Sequence, residues 1–345
     1  MSMLKWYQDT ENQHDVFLAS RIRLVRNLEH YPFPEKLSEE DSKELVGKLE
    51  NGLQGIGEAD GRSFLTVPLS SLDGVEKDAL RERRAINGAG AEKKGSQSLL
   101  LSEDEAVSIT LAGEDHLRIQ CMSGRSQIVK LWEEAGRLDD YVNERFDYAF
   151  HEKYGYLTAY PTNVGTGLRA AVTLHLPMLS AGKQFTKLVN EISRFGVTVR
   201  GIYGEGNENF GALYEVSNQK TLGVTEEEII ALVKQMADRL AASERKIKSL
   251  TLRNHRLDME DEVYKSYGVL RYAKKLSLKE AMTYLSQVRA GEMEGLVQFK
   301  EPVNIYGLMM EIQPANMQCI APEEDKNDLK KARASYIRKC LPELV

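Results

Sequence analysis

Five arginines lie on or beside segments with strand character: Arg21 and Arg23 in "ASRIRLVRN", Arg118 in "GEDHLRIQ", Arg169 in "TNVGTGLRAAV" and Arg200 in "VTVRGIYGEG". In an extended segment Arg21 and Arg23 project to one face while Ile22 and Leu24 point to the other. Two adjacent guanidinium groups repel, and an anion between them relieves the repulsion. If the strand of "GEDHLRIQ" begins at its turn, Glu114, His116 and Arg118 share a face, with about 13 Å of extended backbone between the acid and the guanidinium. Taken singly, these stretches also fit a solvated basic edge, a surface ion pair or a long hairpin turn. Taken together on one sheet, five guanidiniums suit a polyphosphate, because arginine forks bind phosphate oxygens bidentately and keep their charge.

The glycines narrow the choice. Gly165 and Gly167 precede Arg169 and then an alternating strand, whereas a Walker loop or a dinucleotide fingerprint needs its glycines to open a helix, and a Walker loop also needs a lysine. Both are rejected. Gly201, Gly204, Gly206 and Gly211 surround Glu205 and Glu208 in a loop with the conformational freedom to close over a ligand.

The elements that must carry these residues are legible in outline. "SLLLSEDEAVSITLAGEDHLRIQCM" predicts three antiparallel strands with turns at 102–105 and 112–115. "LRAAVTLHLPML" alternates as a half-buried strand, and "VTVRGIY" and "GALYEVSN" predict two more. "FTKLVNEISRF" repeats apolar residues at helical spacing up to Gly196. Beyond Gly223 the pattern turns helical, with capping boxes at Thr225/Glu228 and Ser277/Glu280. The expectation is an α+β protein: residues 1–223 form a catalytic domain of antiparallel sheet flanked by helices, and residues 224–345 a helical domain. "RERRAINGAGAEKKGSQS" predicts a flexible loop.

Composition excludes other classes. The 345 residues are 42% hydrophobic and 28% charged with a net charge of -6, values of a globular protein with no general attraction for nucleic acid or an anionic membrane. No apolar run has the length of a membrane span, and the first residues lack the pattern of a signal peptide, so a cytoplasmic location is expected. Cys121, Cys319 and Cys340 have no CxxC spacing and imply neither a disulfide framework nor a structural zinc site.

In "SRIRLVRNL", "EDHLRIQ", "PTNVGTGLRA" and "VRGIYGEG", in this order from about Val16 to Gly223, the chain resembles the guanidino phosphotransferases, the family of creatine and arginine kinases. It looks most like the bacterial branch that phosphorylates arginine in proteins. "SRIR" comes only 20 residues from the start, whereas the phosphagen kinases begin with an extra helical domain that shapes a small-substrate pocket. The resemblance implies that ATP and Mg2+ are held by Ser20, Arg21, Ile22, Arg23 and Leu24, by Arg84 and Arg118, by Arg169, Ala170, Ala171, Val172 and Thr173, and by Arg200, Gly201, Ile202, Tyr203, Gly204 and Glu205. It implies Glu114 as the catalytic base and Glu205 or Glu208 as a second carboxylate gripping the acceptor guanidinium. It also implies a homodimer, protein substrates carrying arginine, an activating adaptor protein and a heat-shock repressor as partners, and no direct nucleic acid.

This sequence departs from the family pattern at four places. Tyr160 stands where a cysteine is usual beside the substrate guanidinium. Gly113 replaces an acid in the Asn-Glu-Glu-Asp turn. Arg84 occupies a position where the bacterial branch tends to have a histidine near the nucleotide. Finally, "LKKARA" replaces the Arg-Asp-x-x-Arg-Ala pocket for phosphoarginine, keeping only Arg333 and Ala334. A nucleotide-binding pseudokinase and a kinase for free arginine are the competing expectations.

Overall fold

The computed structural model describes residues 4–9, 15–88, 96–204, 209–322 and 328–345. Its main sheet has eight strands: β1 (Phe17–Arg26), β2 (Phe64–Pro68), β3 (Ser98–Ser102), β4 (Val107–Leu111), β5 (Leu117–Ser123), β8 (Leu168–His175), β9 (Val197–Gly201) and β10 (Leu213–Asn218). The order across it is β2-β3-β4-β5-β1-β8-β10-β9. A two-stranded hairpin, β6 (Phe150–His151) with β7 (Gly155–Tyr156), stands apart. The predicted three-strand meander is present as β3, β4 and β5.

The chain divides into two compact units. The first comprises Met1–Trp6, Ser20–Ala171 and Ser217–Lys234, and the second Tyr7–Ala19, Val172–Val216 and Gln235–Val345. In the first unit β1 pairs antiparallel with β5, setting Arg23 opposite Gln120 and Val25 opposite Arg118, and β4 sets Ser108 opposite Gln120 and Thr110 opposite Arg118. Directly opposed residues share a face, so one face carries Arg21, Arg23, Arg118 and Gln120. The other face carries Ile22, Leu24, Ile109, Ile119 and Cys121, all completely buried. The helix Ile128–Asn143 supplies the apolar stripe Leu131, Ala135, Leu138 and Val142 to this core.

A second buried element of the first unit is ionic. Arg26 is 1% exposed, gives Nη2 to Asp139 at 2.7 Å, and lies 3.6 Å from the centre of the Tyr156 ring. Its Nη1 reaches the carbonyls of Val25 and Thr166, so its guanidinium is bonded on several sides, as burial of a charge requires.

In the second unit the long helix Glu226–Tyr272, which starts in the first, is followed by Leu278–Met293, Ile305–Glu311, Pro314–Ile320 and Leu329–Cys340. Both predicted capping boxes form: Thr225 with Glu228, and Ser277 with Glu280. The long helix bends at His255, where φ is -139°.

One expectation is corrected. β8 is buried on both faces, with Thr173 and His175 each 2% exposed, and is not half-buried as its alternation implied. Polar partners make this possible at His175: Nδ1 accepts from Arg289 at 2.8 Å, and Nε2–H donates to Ser286 at 2.7 Å. The helix predicted from "FTKLVNEISRF" is present as Phe185–Ser193, with Ile192 buried. Residues 89–95 of the predicted flexible loop lie outside the described residues.

Gly165 and Gly167 are dictated by close approach. Gly165 has φ +111°, and a Cβ there would meet the Thr221 carbonyl at 2.1 Å; Gly167 has φ +63°, and its Cβ would meet the Val25 carbonyl at 2.6 Å. The glycines let the chain turn against β1, where Val25 N–H donates to Gly167 O at 3.0 Å. Gly165→Ala is therefore expected to destabilise the fold by about 2–4 kcal/mol, from strain plus overlap, read as a fall in the urea midpoint at constant slope.

Candidate nucleotide and guanidine site

The arginine face is built by register. Arg118 is diagonal to Arg23 across the β1–β5 pair, a separation of roughly 7–8 Å between α-carbons. Desolvation first, then the charges on Arg23 and Arg21, push the Arg118 pKa well down, opposed only by Glu114. Nη2 of Arg118 donates to Gln120 at 3.1 Å, while Nε and Nη1 are buried with no hydrogen-bond partner among the described residues. A buried cation with unmet donors beside two like charges has the chemistry that a polyanion satisfies. This fits the phosphates of a nucleotide. Among the described residues no group of three or more His, Cys, Asp or Glu could hold a metal ion.

One helix overlies this face. Leu99 and Leu101 of β3 lie opposite Thr110 and Ser108, hence on the arginine side, and Leu80, Ala85 and Ile86 cover them. The helix Gly74–Glu82 is thereby seated, and the chain leaving it brings the Arg84 carbonyl to Gln120 Nε2 at 2.6 Å. Arg84 has φ +68°, a left-handed conformation costing a non-glycine residue about 1–2 kcal/mol. Three residues on, Asn87 Nδ2 donates to Glu114 at 2.8 Å.

Glu114 does not lie on a strand, because β5 begins at Leu117. The expected shared face of Glu114, His116 and Arg118 is not formed. His116 is fully buried, with Nδ1 accepting from Leu28 N–H and Nε2–H donating to the Pro32 carbonyl, both at 2.9 Å, so it is a structural residue. The turn is held instead by Asp115, whose Oδ1 accepts from Asn27 Nδ2 and from Ala159 N–H, each at 2.6 Å. Burial pushes the Asp115 carboxyl up, partly offset by these two bonds.

The Asp115–Ala159 bond brings Tyr160 to the acid. The negative charge of Glu114 is the first cause of a raised Tyr160 pKa, which places the phenol near that carboxylate. Tyr160 therefore faces the site and remains 42% exposed.

The other expected residues take various places. Ser20 Oγ donates to the Arg125 carbonyl at 2.9 Å and fixes a neighbouring loop. The side chains of Ile22 and Leu24 belong to the core beneath the arginines. Arg169 Nη1 donates to the Asn218 carbonyl, and Ala170 N–H to Asn218 Oδ1 at 2.9 Å. Ala170, Ala171, Val172 and Thr173 are buried along β8. Arg200 is exposed on β9 in the second unit, followed by Gly201, Ile202, Tyr203 and Gly204. Glu205 and Glu208 lie outside the described residues. Arg333 gives Nε to the Ile312 carbonyl at 3.0 Å and Nη1 to that of Leu276 at 3.1 Å, joining helix ends in the C-terminal part.

Asn27, Asn87 and Gln120 are the site residues that sequence reasoning missed. Gln120 alone had a signal, since it stands two residues from Arg118 and so on the same strand face.

A basic sheet face held against a fixed carboxylate is the equipment of a phosphotransferase that acts on guanidines. The model of the ATP:guanido phosphotransferase C-terminal catalytic domain matches residues 47–247, and that of the protein-arginine kinase C-terminal domain matches residues 256–344. Protein-arginine kinases of Halothermothrix orenii and Moorella thermoacetica are 39% and 40% identical, over 95% and 93% of this chain and 94% and 92% of theirs. Among solved structures, lombricine kinase superposes with a TM-score of 0.60 at 23% identity, covering 72% of this chain and 70% of that one. The duplicated taurocyamine kinase of Schistosoma mansoni gives 0.61 at 21%, covering 72% and 36%. The chain belongs to the ATP:guanido phosphotransferase family, in its protein-arginine kinase branch.

Crowding of Arg118 against Arg21 and Arg23 sets stability against binding. Arg118→Met is expected to stabilise the free protein by about 1–2 kcal/mol while reducing ATP binding at least tenfold, as measured by thermal unfolding and calorimetric titration. Arg84→Gly separates strain from binding at the neighbouring position. Its stability should hold or rise by about 1 kcal/mol, and a loss of stability would refute the left-handed assignment.

Proposed function

We propose that this protein transfers the γ-phosphoryl group of ATP to arginine side chains of proteins, giving phosphoarginine. The supporting observation is the buried, partly unbonded Arg118 beside Arg21 and Arg23, with the Glu114 carboxylate held nearby by Asn87. Arg21, Arg23, Arg118 and Arg169 would receive the phosphates and stabilise charge on the transferring group. Arg84 would meet the nucleotide from its strained turn. Magnesium would come with the phosphates and shield their charge. By resemblance alone, Arg200 to Gly204 would also meet ATP, and Glu205 or Glu208 the acceptor guanidinium.

A guanidinium is cationic and a poor nucleophile. Glu114 would orient it and take the proton from its terminal nitrogen as that nitrogen attacks phosphorus in line. Tyr160, close to that carboxylate, would lie beside the acceptor guanidinium. The names of the relatives support a protein-borne acceptor. We further propose a cytoplasmic homodimer in which residues 224–345 serve dimerisation and regulation. It would be activated by an adaptor protein and would act in the stress response, with a heat-shock repressor among its substrates.

Incubation with ATP, Mg2+ and either casein or free arginine, scored as acid-labile phosphate, should label casein. Label on free arginine alone would overturn the protein acceptor, and label on neither would make the protein a nucleotide-binding pseudokinase. Glu114→Gln should abolish transfer while leaving ATP binding intact. Asn87→Ala should lower kcat about 10- to 100-fold with little change in ATP affinity, since it removes only orientation. Tyr160→Cys should change the rate by less than about tenfold; a much larger gain would identify the natural chain as a weakened kinase.

A further inference from the structure

In the first unit a groove of about 550 Å³ opens between the β6–β7 hairpin and the segment entering the helix Glu226–Tyr272. Phe150, Tyr154 and Leu222 line it and are 59%, 43% and 51% exposed. Three large apolar side chains open to solvent around one concavity offer an apolar contact surface. Among its lining residues, Glu226 and Glu228 outnumber the cation Lys153. The rings already face cations: the Arg26 guanidinium is 3.6 Å from the centre of Tyr156, and Lys153 Nζ is 5.3 Å from that of Tyr154. Aromatic faces beside carboxylates select a positively charged, partly apolar ligand.

The groove is tied to the candidate site by a short piece of chain. Tyr156 lines the groove, and Ala159 N–H bonds Asp115 next to Glu114 just before Tyr160, so at most about 14 Å of backbone separates Tyr156 from Tyr160. Gly165 and Thr166 also line the groove, just before Gly167 turns the chain towards Arg169. A polypeptide presenting one arginine to Glu114 reaches the groove with a residue about four positions away.

We propose that this groove docks the protein substrate itself, as an extended segment carrying a lysine or arginine about four residues from the acceptor arginine. The proposal rests on the protein-arginine kinase reading and concerns binding only. It adds a recognition surface separate from the residues that meet ATP and the acceptor guanidinium.

The test uses the full-length protein, two arginine peptides, and a capped single arginine. One peptide has lysine four residues to either side of the acceptor, and the other has glutamate there. The wild type should show a KM about five- to tenfold lower for the lysine peptide. The Phe150→Ser/Tyr154→Ser/Glu226→Gln variant should lose that preference yet phosphorylate the capped arginine at the wild-type rate. A preference that survives in the variant, or is missing from the wild type, overturns the proposal. Fluorescence anisotropy with a labelled lysine peptide whose acceptor is glutamine reads docking without transfer. Binding by the wild type that the variant loses supports the groove even if no acceptor is phosphorylated, in which case only the kinase reading fails. Equal binding by both proteins overturns the groove.

Discussion

Mutual repulsion of guanidiniums on one sheet face is the constraint to which the rest of the site answers. Burial removes the water that would screen such charges, so like charges on one face oppose each other's ionisation more strongly than they would in solvent. The pairing of β1 with β5 gives Arg118 such neighbours on its own face. The sheet tolerates this because its opposite face is a dense core. Ile22, Leu24, Ile109 and Ile119 are completely buried, and each contributes roughly 1.5–3 kcal/mol. The alternation that drives Ile22 and Leu24 inward is the same alternation that drives Arg21 and Arg23 outward. Stability and latent binding energy are therefore written into one strand, and neither can be altered without moving the other.

The acid is held by different means. Rigid strands carry the cations, whereas Glu114 sits in a turn, where backbone pairing cannot fix a side chain. The turn is made rigid by bonds from three distant segments: Asn27 at the end of β1, Asn87 after the helix Gly74–Glu82, and Ala159 before Tyr160. Each segment is anchored elsewhere by apolar burial, as Leu80, Ala85 and Ile86 show for the one that carries Asn87. Orientation of a single carboxylate thus depends on packing well away from it, which is how a protein holds charge in a geometry that water would not.

What the sequence disclosed follows from the range of each interaction. Strand alternation, helix stripes and capping boxes act over a few residues, so the meander, the face shared by Arg21 and Arg23, and both boxes were legible. The roles of Asn27, Asn87 and Gln120 were not, because their partners lie 27 to 88 residues away or depend on which segment covers a sheet face. His116 misled for the same reason. Its spacing from Arg118 fitted a strand face, but its ring is held by Leu28 and Pro32 across the fold. The burial of β8 on both faces was hidden by Thr173 and His175, since period-two patterning reads polarity and cannot see a buried polar group that has found its partners.

Tyr160 shows how one substitution redistributes charge around the acceptor. The phenol keeps its proton because the nearby Glu114 carboxylate opposes a second negative charge. It can therefore donate to Glu114, whereas a thiolate in that place would repel it. On the proposed reading, the acceptor guanidinium loses one anionic neighbour and gains an exposed aromatic face, which attracts a cation through its quadrupole without competing for the proton. Asn87 occupies one hydrogen-bonding direction of the Glu114 carboxylate, which leaves further lone pairs for the proton it must accept. The base is then held by the neutral donor Asn87 beside a neutral phenol, so its position does not depend on the charge state of a neighbouring thiol.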